Sequence, residues 1–167
     1  MNEMKIKLSP LVHIEIVVPD AKKAYEFLNR VFGAERVEKE FSDVLSNMGP
    51  VKGVHVKLSN VILQFIEPSK EKVQSLWSEH LEKKGPGVHN LTFVVKDVIA
   101  AAKALKEEGI KTLMKIPVPW DQFLDPEDIR EKTPPVHMIG GEEIVGFRFE
   151  LSESPYKEDK NPEEYEF

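Results

Sequence analysis

Imidazole, carboxylate, amide, hydroxyl and guanidinium groups recur at alternating positions in this chain: His13 and Glu15, His55, Gln64, Asn90 and Thr92, Arg148 and Glu150. Each falls in a run where every second residue is apolar, and side chains along a strand alternate between its two faces. Ile14, Ile16 and Val18 leave His13 and Glu15 opposite, and Val54, Val56 and Leu58 leave His55 opposite. Leu63 and Phe65 leave Gln64, Leu91, Phe93 and Val95 leave Asn90 and Thr92, and Phe147, Phe149 and Leu151 leave Arg148 and Glu150. Such a polar second face is often only wetted by solvent. Here it gathers mostly His, Gln, Asn and Glu, and those groups ligate divalent ions and transfer protons.

These positions require strands, and the strands require helices over their apolar side. Pro19-Asp20 ends the first run, and Asp20 can cap a helix in which Ala24, Phe27, Leu28, Val31 and Phe32 recur at helical period. Gly33 ends that helix. Ala34 to Phe41, Val51 to Leu58 and Val61 to Glu67 follow as strand-like runs, the last two joined by a tight Ser59-Asn60 turn. Residues 69–87 carry a linking helix, striped by Val73, Leu76, Trp77, His80 and Leu81, and a Gly-rich turn.

The opening then recurs. A shift of 77 residues lays His13–Asp20 on Asn90–Asp97, and 5 of the 16 pairs from His13/Asn90 to Leu28/Leu105 are identical. We read this as an internal duplication. Val98, Ala101, Ala102 and Leu105 stripe the second helix, and Lys111 to Ile116, Val136 to Ile139 and Val145 to Leu151 supply three more strands. The expected fold is α+β: two β-α-β-β-β modules, residues 11–68 and 88–154, forming one eight-stranded cup-shaped sheet with helices outside. Residues 1–10 form a lead, the second module carries a long loop at 117–135, and residues 155–167 are expected to be a loose acidic tail.

The chain has 167 residues, 41% hydrophobic and 31% charged, as expected of one globular domain or two small fused modules. Lys and Arg total 23 against 29 Asp and Glu, and the net charge of −6 offers no electrostatic footprint for nucleic acid. Neither a signal peptide nor a membrane span is expected. Without cysteine, disulfides, zinc-thiolate centres and thiol nucleophiles are excluded, and a cytoplasmic location is expected.

From Leu11 to Ser154 the segments VHIEIVVPDAKKAYEFLNRVFGAE, LSNVILQFIEP, LEKKGPGVHNLTFVVKDVIAAAKALKEEGIK and VGFRFELSE follow a known order. They resemble the vicinal oxygen chelate superfamily, the glyoxalase and bleomycin-resistance group, and within it the methylmalonyl-CoA epimerase family. That resemblance implies four metal ligands: a His in the first strand, a Gln or Glu four residues before a Pro, a His opening the second module, and a Glu in the last strand. His13, Gln64 and Glu150 match, while Asn90 stands at the third position where the family has the second His of a pair. His89 occupies the first place of that pair, and alternation sends its side chain to the other face. The family's proton-transfer Glu, expected near Gly53, is absent, and the loop bearing Trp120 and Phe123 replaces a shorter Gly-rich turn.

The resemblance implies an isomerase or epimerase, or a related lyase, that uses a divalent metal such as Co, Mn, Ni, Zn or Fe. It would act through an enolate next to the carbonyl of a small carboxylic acid or acyl-CoA. Glu150, Glu15 and His55 are its candidate catalytic groups, Arg148, Thr92, Trp120 and Phe123 its candidate substrate contacts, and His13, Gln64, Asn90 and Glu150 its candidate ligands. Two other readings stand beside it. One is a cup that has lost its metal and binds a small ligand, as bleomycin-resistance relatives do; Asn90 favours it. The other is a dioxygenase, which would need His55 to replace the missing imidazole. Arg148 can equally pair with Glu15 or Glu150, and His55 can be an ordinary hydrogen-bonded strand residue. A homodimer is expected from the family, with no nucleic-acid or membrane partner.

Overall fold

The computed structural model describes residues 6–37, 51–71 and 73–157. Its elements are β1 His13–Val17, α1 Ala21–Phe32, β2 Glu35–Arg36, β3 Val51–Leu58, β4 Val61–Pro68, α2 Leu76–Lys84, β5 Gly87–Val94, α3 Val98–Glu107, β6 Thr112–Ile116, β7 Val136–Ile139, α4 Glu142–Val145 and β8 Arg148–Ser152. Among the described residues the strands form one eight-stranded mixed sheet in the order β2-β3-β4-β1-β5-β8-β7-β6, and the fold is α+β. The chain divides into two compact units, one of His13–Asn90 and one of Leu91 onward with the lead through Val12.

In the first unit β1 runs parallel to β4, while β3 is antiparallel to both β4 and β2. Asp20 begins α1 by accepting a hydrogen bond from Lys23 N at 2.9 Å. Gly33 ends the helix at φ +67°, a left-handed conformation that suits a residue without Cβ, and donates to Asn29 O. The apolar stripe predicted for this helix is rotated in the structure. Ala21, Ala24, Tyr25 and Leu28 meet the core of Val54, Val56 and Phe65, whereas Phe27, Val31 and Phe32 are 51%, 51% and 65% exposed. Small residues let the helix approach the sheet closely, so alanine rather than phenylalanine marks its buried face.

The β3–β4 hairpin closes at Leu58↔Val61 with Ser59 at φ 56°, as the tight turn requires. Of the strand predicted over Ala34 to Phe41, only Glu35–Arg36 is strand among the described residues, and residues 38–41 lie outside them.

In the second unit β6, β7 and β8 form antiparallel pairs. Val95, Val98, Ala101, Ile139 and Leu151 make the core, joined by Phe93, Leu105 and Phe149. Asp97 caps α3 through Ala100 N at 2.8 Å. β8 begins later than predicted because Glu142–Val145 turns into the short helix α4. The long loop contains a 3-10 turn at Trp120–Gln122.

The start of the expected loose tail is held in place. Arg130 N donates to Pro155 O at 2.8 Å, Lys157 N donates to Asp128 O at 3.0 Å, and Ile129 bridges Tyr156. Low apolar content therefore did not mark the tail's boundary, because backbone hydrogen bonds to the 117–135 loop order its first residues. The lead is tied similarly: Ser9 N donates to Val94 O, and Val94 N donates to Ser9 Oγ. Among the described residues no helix is long and apolar enough to cross a membrane.

Candidate active site

Strand register places Glu15 of β1, Gln64 of β4 and His55 of β3 in one row across the first unit, through the pairs Glu15↔Gln64 and His55↔Gln64. Apolar neighbours in the same strands, Ile16, Val56 and Phe65 among them, pack with α1. Alternation therefore leaves the polar row on the opposite side. His13 enters this group by setting its ring edge-on to His55, with centroids 5.3 Å apart. Burial holds the His13 ring well below the ordinary imidazole range, at about 3, and His55 beside it pushes the same way. Gln64 favours the protonated ring but does not offset burial. His13 is therefore neutral near pH 7, the state in which imidazole donates a lone pair to a metal.

Gln64 supplies the complementary feature. Its Oε1 is buried and, apart from its influence on the His13 ring, has no well-formed hydrogen bond among the described residues. An unsatisfied buried acceptor costs about 1–3 kcal/mol, and a bound cation would remove that cost. His13 nitrogen and Gln64 oxygen thus fit part of a divalent-ion shell. The described residues contain no group of three or more His, Asp or Glu side chains placed to hold a metal, so further donors of an ion at His13 would have to include amide oxygens such as those of Gln64 and Asn90.

Glu15 sits in a built polar cage. Its Oε1 accepts from Trp77 Nε1 at 2.6 Å and lies 2.8 Å from His89 Nδ1. Both side chains of the Glu15–His89 pair are almost fully buried. His89 is flanked by the rings of Trp77 and His80, at centroid distances of 6.0 and 5.3 Å. Asn90 is buried, with its Nδ2 3.2 Å from His89 Nδ1. His89 was expected to turn away from the site residues, yet it meets Glu15. Trp77 and His80, read from the sequence as a packing stripe, complete the same cluster. A buried strand glutamate must find donors, and that requirement was the available signal.

In the second unit Thr92 Oγ1 donates to Glu150 Oε1 at 3.3 Å. Arg148 meets Glu142: its Nε and Nη2 reach Glu142 Oε1 at 3.0 and 2.9 Å. The turn in the chain at α4 brings Glu142 back to β8. Trp120 and Phe123 stand against each other at a centroid distance of 6.4 Å.

A family model described as the glyoxalase/bleomycin resistance protein/dioxygenase superfamily matches residues 12–122. The chain belongs to that superfamily. Its fold also resembles solved structures. A Streptomyces coelicolor methylmalonyl-CoA epimerase in complex with 2-nitronate-propionyl-CoA is 24% identical, with 89% of this chain and 99% of that chain covered and a TM-score of 0.62. The Mycobacterium tuberculosis methylmalonyl-CoA epimerase is 21% identical over 92% and 95% of the two chains, with a TM-score of 0.59. A hypothetical protein from Bacillus halodurans is 19% identical over 90% and 98%, with a TM-score of 0.66. A search of curated protein sequences finds no match. These structural likenesses concern the fold of this superfamily member, and its activity rests on its own residues.

Proposed function

We propose that this superfamily member is an isomerase of the epimerase type, acting on a proton next to the carbonyl of a small carboxylic acid or acyl-CoA with the help of a divalent ion. The observation that carries the reading is the buried Gln64 Oε1, without a well-formed hydrogen bond among the described residues, beside a neutral His13. Asn90 would add a weaker amide donor, and the resemblance assigns the remaining ligand to Glu150. When bound, the ion would supply Lewis-acid stabilisation of the oxyanion formed on proton removal, a contribution of several kcal/mol.

The chain's own groups have separable tasks. His55 is half-buried next to His13 and moves the proton. Glu15, fixed by Trp77 and His89, keeps His89 oriented, a positioning role. Arg148, tied to Glu142, would have to exchange that partner for a substrate carboxylate.

A second reading, a metal-free pocket for a small ligand, is supported by Asn90 at the position where the first module has His13. One series of measurements separates the two. Elemental analysis of protein purified without chelator is expected to find about one divalent ion per chain, lost in His13→Ala and Glu150→Ala and held more tightly in Asn90→His. Loaded protein should then exchange the α-proton of enolisable acyl-thioesters in D2O. No bound ion, and no thermal stabilisation by added divalent ions, would decide for ligand binding.

A further inference from the structure

A cleft of about 640 Å³ opens in the second unit between α3 and the strands β6 and β7, on residues that take no part in the reaction proposed above. Lys103 and Lys106 of α3 and Lys111 and Lys115 at β6 line it, and no lining residue is acidic. Among the described residues none of these lysines forms an ion pair. In a chain of net charge −6 a cleft lined by four lysines and no acidic residue is a local positive patch, which attracts an anion.

The independent observation is His137. It lines the same cleft, opposite Lys115 in the β6–β7 register. It is only 2% exposed, yet neither Nδ1 nor Nε2 has a hydrogen-bond partner among the described residues. Buried polar atoms in native structures are nearly always satisfied, so two on one ring point to a missing partner. Burial first, and Lys115 second, hold its pKa below the ordinary imidazole value. The neutral ring offers one N–H, which suits an oxygen acceptor of a ligand.

The rest of the lining says what else the ligand carries. Ile99, 55% exposed, and Ala102 give the cleft an apolar wall. Its volume lies within the roughly 300–1,000 Å³ range of small-molecule sites. We infer that this cleft binds a small phosphate monoester with an apolar body, its dianion among the lysines, its oxygens on Thr112 and His137, and its body against Ile99 and Ala102. A phosphate suits several compact ammonium charges better than a single carboxylate does.

The test is to titrate the full chain with phenyl phosphate, inorganic phosphate and phenol, by calorimetry and by the 15N ring resonances of His137. Phenyl phosphate is expected to bind more tightly than either fragment and to move the His137 signals. In the double variant Lys103→Ala, Lys106→Ala its affinity should fall by about tenfold or more. Both are exposed helical positions where alanine is favourable, so the fold is retained. No binding of phenyl phosphate, equal affinity in the double variant, or binding that leaves His137 unmoved overturns the assignment. Phenol binding as tightly as phenyl phosphate overturns the phosphate site, and inorganic phosphate doing so overturns the apolar wall's role.

Discussion

In the first module Asp20 caps α1 through Lys23 N at 2.9 Å, and in the second Asp97 caps α3 through Ala100 N at 2.8 Å. Val18 N donates to Ile66 O at 2.9 Å, and Val95 N to Ser152 O at 2.8 Å. The first amide of each helix is held by a glutamate at or just past the end of a strand: Ala21 N by Glu67 at 3.1 Å, Val98 N by Glu153 at 3.0 Å. These bonds make Gln64 and Glu150 corresponding positions, and register then matches His55, opposite Gln64, with Met138, opposite Glu150.

The sequence shift adds the pairs His13 with Asn90 and Glu15 with Thr92. Scaffold positions are alike because each needs only an acceptor for a backbone amide. Positions on the polar face differ in chemistry. The first module concentrates imidazoles and a buried carboxylate, while the second has an amide, a thioether, a hydroxyl and one carboxylate.

The pair Glu15 and Thr92 gives the largest expected contrast. Glu15→Ala leaves a buried His89 and the Trp77 Nε1 without their acceptor, a loss of about 3–5 kcal/mol. Thr92→Ala removes one hydroxyl bond of 3.3 Å to Glu150 and should cost about 1 kcal/mol. Urea unfolding of both variants measures the difference, and equal losses would break the comparison.

His13 and Asn90 sharpen it through pH. Because the folded-state pKa of His13 lies at about 3 against 6.5, the unfolded chain takes up the proton first as pH falls. The stabilisation tied to that shift is complete above pH 6.5 and is lost down to about pH 3, a change of a few kcal/mol, roughly, over the window. His13→Asn, which gives the first module the second's residue, should flatten the stability slope there relative to the parent chain. An unchanged slope would mean that the His13 ring is not buried in its neutral form. The smallest effects belong to the shared scaffold: Asp20→Ala and Asp97→Ala should each lower the melting temperature slightly and by similar amounts. Unequal shifts would show that the two caps are not equivalent.

Much of this was legible in one dimension. Period-2 alternation put His55 and Gln64 on one face, and their direct pairing in β3 and β4 follows from the two-residue turn at Ser59-Asn60. Asp20 and Asp97 are local caps, readable because their bonds span only three residues. The buried face of α1 was misread, since apolarity alone cannot tell Phe27 and Phe32, left exposed, from Ala21 and Ala24, which set the contact distance.

By itself, then, the sequence determined the α+β fold class, the alternation of its strands and the superfamily, because each depends on local period or ordered motifs. Only the tertiary structure decided that Glu15 meets Trp77 and His89, that Arg148 binds Glu142, and that His137 lies unpartnered in a lysine-lined cleft. The Glu15 contacts join residues 62 and 74 positions apart, and no local pattern specifies which donors a buried carboxylate will find. That choice is made by packing, which must satisfy every buried polar group at once.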